Sequence, residues 1–171
     1  MKRIIIFGNS GSGKSTLSKA ICAKVGIMHL DLDTLAWKDT SPPERMEIKD
    51  SKLKIDKFLD SHEQWVIEGC YSDLIELISK SSNQVVFMDL SIKSCIENAK
   101  MRPWEPHKYA SKDEQDKNLS MLIDWISEYE NRQDTFSRRA HLKIFEEYKG
   151  SKIQISTNDA AKEYLQEIGD K

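Results

Sequence analysis

The chain has 171 residues, with 26 Lys+Arg against 28 Asp+Glu and a formal net charge of −2. That balance does not favour a nucleic-acid partner, and no apolar stretch approaches the ~20 residues of a membrane span, so a cytoplasmic protein is expected. Such a length suits a single α/β domain spanning 1–171, and Cys22, Cys70 and Cys95, which lack C-x-x-C spacing, argue against a disulfide framework and a zinc site.

The first apolar run, Arg3 to Phe7, predicts a strand; it follows Met1 and Lys2 directly, with no signal-peptide core. Next comes Gly8-Asn9-Ser10-Gly11-Ser12-Gly13-Lys14-Ser15-Thr16, a complete G-x-x-x-x-G-K-[ST] phosphate-binding loop. Its glycines let successive backbone N–H groups turn around an oxyanion, and the helix that begins near Gly13 adds the positive end of its dipole. Lys14 supplies charge to the β- and γ-phosphates and the Ser15 hydroxyl a ligand for Mg²⁺, so ATP with Mg²⁺ is the expected ligand. Leu17, Ala20, Ile21 and Val25 continue at helical spacing, which completes strand, loop and helix in the required order.

A second run, Ile27 to Leu32, leads into Asp31-Leu32-Asp33. Alternation sets both carboxylates on one side, Asp31 for metal-bound water and Asp33 for an acceptor hydroxyl proton; the alternative is a solvated strand end with Asp33 capping the next turn. Ser41-Pro42-Pro43-Glu44 predicts a helix start with a capping box, and Ile48, Ile55, Phe58 and Leu59 its inner face. The third run, Trp65 to Glu68, ends in an acid followed by Gly69, which points to Mg²⁺ and a close acceptor, or else to an ordinary turn. Gln84 to Leu90 is the fourth run, and its Asp89 suits either outer-sphere support of the metal or a structural hydrogen bond.

Ser91 then caps a helix striped by Ile92, Cys95, Ile96 and Ala99. Regularity stops at Met101 to Ala110, where Pro103 and Pro106 lie among Arg102, Trp104, Glu105, His107, Lys108 and Tyr109 in the manner of a mobile flap. Ser111-x-x-Glu114 caps the next helix, which carries Leu119, Leu122, Ile123 and Ile126; another is predicted from about Asp134 to Tyr148, ending at Gly150. Lys152 to Ser156 forms the fifth run, and Ala161, Tyr164, Leu165 and Ile168 mark a last amphipathic helix. Arg102, Arg132, Arg138 and Arg139 are candidate clamps for phosphoryl charge, the last three equally readable as solvated helix charges. Trp37 and Trp104 are read as ligand covers or core, His107 and Lys108 as phosphate contacts or decoration of the flap. His29, His62 and His141 show no ligand spacing and are given no chemistry. Strands alternating with helices predict a parallel sheet covered on both faces, with the site at the carboxyl ends of the strands.

With the loop, Asp31-Leu32-Asp33-Thr34-Leu35 with Trp37, Trp65 to Tyr71, and Arg102-Pro103-Trp104-Glu105-Pro106-His107-Lys108-Tyr109 in view, the chain resembles the small P-loop kinases, the group of adenylate, shikimate and gluconate kinases. Within that group it resembles uncharacterised bacterial proteins of adenylate-kinase-like, shikimate-kinase-like or topology-modulation (FlaR-like) type. This resemblance implies a three-layer P-loop NTPase fold, a five-stranded parallel sheet in the order 2-3-1-4-5, a lid at about 101–115, and phosphate-binding arginines at Arg102 and at Arg132 or Arg139. It implies an ATP-dependent phosphotransferase with Lys14, Asp33, Arg102, Arg132 and Arg139 as catalytic groups. Ser15, Asp31 and Glu68 would serve the metal, and Asp33, Trp37, Glu68, Gly69 and Tyr71 a small hydroxyl or phosphate acceptor, shikimate-like or a nucleoside monophosphate. Cys70 and Tyr71 replace the later glycines of the shikimate-kinase triplet, Arg45 is the one counterpart for their substrate arginine, and the adenylate-kinase Asp-Gly-Phe-Pro-Arg sequence is missing. A nucleotide-operated regulatory switch is the competing class, and a monomer is expected.

Overall fold

Ile4, Ile5, Ile6 and Phe7 are at most 1% exposed in succession, which requires a strand covered on both faces. The structure is a computed structural model and describes residues 1–106 and 109–168. In it β1 (Arg3–Gly8) is the centre of a five-stranded sheet, paired in parallel with β3 (Trp65–Gly69) on one side and β4 (Gln84–Met88) on the other. Strands β2 (Met28–Asp31) and β5 (Ser151–Ile155) pair outside these in parallel, which gives the order β2-β3-β1-β4-β5, as expected. Phe7 is level with Gly69, Gly8 with Met88, Asp31 with Glu68 and Met88 with Ile155, so the strands finish along one carboxyl edge.

Alternation divides the core. Ile4, Ile6, Val66, Val86 and Met88 face α1 (Lys14–Val25), α5 (Ile92–Lys100), α7 (Leu119–Ser127) and α9 (Asn158–Glu167), through Leu17, Ile21, Cys95, Ala99, Ile126 and Tyr164. Ile5, Phe7, Ile67, Val85 and Phe87 face α3 (Ile48–Ser61), α4 (Ser72–Ile78) and α8 (Arg138–Glu147), through Ile55, Leu74, Ile75, Ile78 and Ile144. Each fully buried aliphatic or aromatic side chain of this kind contributes roughly 1.5–3 kcal/mol. Ser91, Ser111, Ser137 and Thr157 cap α5, α6 (Lys112–Lys117), α8 and α9, each accepting from the N–H three residues on. Among the described residues no helix is long and apolar enough to cross a membrane.

The structure departs from expectation in three places. No helix starts at Ser41; residues 37–46 form an excursion closed by an antiparallel bridge between Trp37 and Arg45, with Lys38 N–H donating to Glu44 O and Met46 N–H to Ala36 O. Glu44 turns its carboxylate to Lys38 rather than to a cap, α3 begins at Ile48, and Ile48 is 47% exposed while Ser51 takes the buried place. The helix capped by Ser111 breaks at Asn118 into α6 and α7. Asp134 opens a turn, its carboxylate accepting from Phe136 N–H, so that α8 starts at Arg138, and it finishes at Glu147, ahead of Gly150.

Candidate nucleotide and acceptor site

Backbone geometry builds the glycine-loop end of the candidate site. Gly11 (φ 74) and Gly13 (φ 88) are left-handed, and a Cβ on Gly11 would meet the Cys95 carbonyl oxygen at 2.3 Å. The loop is gripped from behind: Asn98 Nδ2 donates to Gly11 O at 2.9 Å and Asn9 Nδ2 to Ile126 O at 3.1 Å, which ties it to α5 and α7. Lys14 Nζ lies across the loop, donating to Asn9 O at 2.7 Å. Ser12 is fully buried, and its hydroxyl has no hydrogen-bond partner among the described residues. Lys14 and Ser15 open α1 half-buried, and Ser10 is half-buried beside them while Thr16 is exposed.

Asp31 ends β2 and Asp33 opens the short helix α2 (Asp33–Ala36), so the turn and not strand alternation sets their relation. It is Asp31 that caps this turn, its carboxylate accepting from Asp33 N–H at 2.9 Å. Asp33 is held from across the edge: Tyr71 OH donates to its carboxylate at 2.5 Å, and Trp37 Nε1 donates to the same phenol oxygen at 2.7 Å. Burial, followed by the charges of Cys70 and Asp33, raises the Tyr71 pKa, so the phenol stays a donor.

Glu68 is 2% exposed and faces His29, Nε2 to Oε1 3.5 Å, both atoms lacking a hydrogen-bond partner among the described residues. His29 carried no signal as an isolated histidine. It shares a face with Asp31, which the register sets level with Glu68, and that pairing finds it. Among the described residues no group of three or more His, Cys, Asp or Glu side chains is close enough to hold a metal by itself. The side-chain space at Gly69 is filled by Leu32, whose Cβ would lie 2.9 Å from an added methyl, so this glycine serves packing of α2. Burial pushes the Cys70 thiol up to about 12, and the residue's carbonyl accepts from His141 Nε2 at 2.8 Å. His141 is wholly buried, its Nδ1 accepting from Tyr129 OH at 2.8 Å, and burial pulls its pKa down to about 4.

Beyond Asp33 lies an aromatic cluster that periodicity did not reveal. The Arg45 guanidinium sits 4.9 Å from the Tyr71 ring, 5.4 Å from Phe136 and 5.7 Å from Trp37, and pairs with Asp73 at 3.0 Å. Trp125 packs edge-on to Phe136 at 5.4 Å, and Arg132 stacks 3.5 Å from the Trp125 ring centre. Trp37 is 39% exposed and is not part of the core. Thr135 locks Phe136 in place, its hydroxyl bonding Ser72 Oγ at 2.6 Å and accepting from Asp73 N–H at 2.9 Å.

The remaining arginines go separate ways. Arg138 forks onto Asp89 at 2.9 and 2.7 Å, and Gln154 also donates to that carboxylate, so Asp89 serves structural hydrogen bonds. Arg139, one residue on, is exposed and donates to Gln133; it is not brought to the strand ends with Asp89. Arg102 pairs with Glu105 at 3.1 Å within the 101–115 segment, where the Gln115 side chain bonds Glu105 N–H and Pro103 O and Trp104 Nε1 donates to Tyr109 O. His107 and Lys108 lie outside the described residues.

No protein-family model matches the chain. It is 31% identical over 148 residues to the uncharacterized protein YqaC of Bacillus subtilis, covering 82% of this chain and 80% of that one. A shikimate kinase of Caldicellulosiruptor saccharolyticus matches at 31% identity over 86 residues, 50% of this chain and 44% of that kinase. Among solved structures, the shikimate kinase of Bacteroides thetaiotaomicron superposes with a TM-score of 0.55 at 14% identity, covering 99% of this chain and 96% of the other. The five-stranded order, the glycine loop between β1 and α1, and these likenesses together show that the chain has the P-loop kinase-like fold and belongs to the family of Bacillus subtilis YqaC.

Proposed function

We propose that the protein is an ATP-dependent phosphotransferase that moves the γ-phosphoryl group of ATP onto a hydroxyl of a small acceptor. The observation that carries this reading is the placement, along one carboxyl edge, of the glycine loop before Lys14 and, two strands away, of Asp33 held by Tyr71 and Trp37. Residues Gly8 to Thr16 suit a triphosphate: left-handed glycines, the N-terminus of α1 behind them, the Lys14 ammonium beside them and a Ser12 hydroxyl without a hydrogen-bond partner among the described residues. Ser15 at the start of α1, with Glu68 and Asp31 level with each other at the ends of β3 and β2, suits a hard cation that keeps most of its water. Bound there, Mg²⁺ would supply positive charge to the phosphate oxygens.

Lys14 exchanges the Asn9 carbonyl for the phosphates, and Asp33 orients the acceptor hydroxyl. The acceptor oxygen bonds to the γ-phosphorus as the bond from that phosphorus to the bridging oxygen breaks. ADP leaves with the electron pair, and the acceptor proton passes to Asp33. Segment 101–115 is the lid of a single domain; Arg102 leaves Glu105 and, with Arg132, meets the charge on the moving phosphoryl group while water is kept out.

ATP consumption against a panel of sugars, polyols, shikimate and nucleoside monophosphates tests this. An acceptor that raises turnover well above hydrolysis supports it, and a flat panel overturns it. Asp33→Asn separates this reading from a topology-modulation-type nucleotide switch, which has no use for that carboxylate.

A further inference from the structure

The acceptor end contains a guanidinium that the protein has already neutralised. Arg45 Nη2 donates to Asp73 Oδ2 at 3.0 Å and Nε to Ala36 O at 3.2 Å, while Tyr71, Phe136 and Trp37 stand against its faces. Both members of the pair are 27% exposed, so bulk solvent screens them little. Asp73 is held on its other side by Leu74 N–H, accepted at Oδ1, and by its own N–H on Thr135. The cluster's other guanidinium, Arg132, stacks on Trp125, beyond Phe136 from Arg45.

We propose that the Arg45–Asp73 pair closes this subsite to anions, so that the acceptor taken beside Asp33 is an uncharged polyhydroxyl compound and not a carboxylate or a phosphate ester. The inference rests on the reading of Asp33 as the acceptor-side group. An incoming anion has to displace Asp73 from Arg45, which leaves a half-buried carboxylate without its cation. A neutral hydroxyl compound meets no such penalty: carboxylates accept its O–H groups, and the exposed ring of Trp37 offers a flat apolar face.

A matched pair of probes that share a ring and differ in charge, D-glucose and D-glucuronate, tests the rule by calorimetry. Asp73→Asn keeps the amide oxygen that caps Leu74 and releases Arg45 from its counter-charge. It is expected to take D-glucuronate at least about tenfold more tightly than the wild type. Arg45→Gln/Asp73→Asn loses that gain, and Arg45→Gln alone, which leaves Asp73 without its cation, gives no gain in D-glucuronate affinity over the wild type. No gain in Asp73→Asn, a gain in Arg45→Gln, or a wild type that prefers D-glucuronate to D-glucose overturns the proposal. Melting curves and ATP titration of each variant establish that it is folded. If the gain is found but no acceptor raises ATP consumption, the phosphotransferase reading fails and the charge rule stands; if D-glucuronate raises ATP consumption more than D-glucose, the charge rule fails and the phosphotransferase reading stands.

Discussion

Around Lys14 the protein works with backbone: left-handed glycines, a loop carbonyl tied to Asn98, and a helix starting where the loop ends. Around Asp33 it works with side chains drawn from distant segments, among them Trp37, Arg45, Tyr71, Asp73, Trp125 and Phe136. The first kind of site is specified within nine consecutive residues and tolerates little change. The second is assembled only by the fold, and substitution there can alter its chemistry while the loop end stays intact.

The sharpest break between the two ends is expected from Asp33→Asn. Acceptor-dependent ADP formation should fall about a thousandfold, within the range for losing a positioned general base, while ATP affinity stays within about twofold. A coupled assay and calorimetry read the two quantities separately. Equal loss of both would dissolve the division. Gly11→Ala strikes the opposite end: a methyl 2.3 Å from the Cys95 carbonyl, at φ 74, should lower stability by roughly 3 kcal/mol in urea unfolding.

Acid should lower the stability of the fold through His141. His141 is neutral in the fold, held between the Cys70 carbonyl and the Tyr129 hydroxyl, with its pKa at about 4 against an ordinary 6.5. The unfolded chain takes up this proton below pH 6.5 and the folded chain does so only near pH 4, so the contribution is complete above pH 6.5 and is lost as pH falls between those values. The loss amounts to roughly 3 kcal/mol. Urea unfolding across that window measures it, and His141→Asn should flatten the slope. Tyr71→Phe is expected to have the smallest effect: it removes the donor to Asp33 and the acceptor of Trp37, for about a tenfold drop in acceptor-dependent turnover and about 1–2 kcal/mol of stability. A kcat loss with unchanged ATP affinity distinguishes this from general damage.

Much of this division follows how far each feature is local in the chain. The strands, the loop and the caps at Ser91 and Ser111 were legible because each depends on neighbours a few residues away. Ser41-x-x-Glu44 imitated a cap but lies in an excursion fixed by pairing Trp37 with Arg45, a contact invisible to a local pattern. Choosing between Arg138 and Arg139 needs the rotation of α8, since adjacent helical positions point about 100° apart, and the fold gives Asp89 to Arg138. Phe136 was hidden by reading Asp134 as part of a helix, although an Asp three residues before a Ser cap is also a turn signal.

The central claim, that the loop end and the Asp33 end act on one phosphoryl group, is tested most directly by following the γ-phosphate of labelled ATP in the presence of a mixture of small neutral polyols. The account predicts label in a phosphorylated small molecule with the wild type and its near absence with Asp33→Asn. Label released only as inorganic phosphate, at the same rate by both proteins, would contradict it.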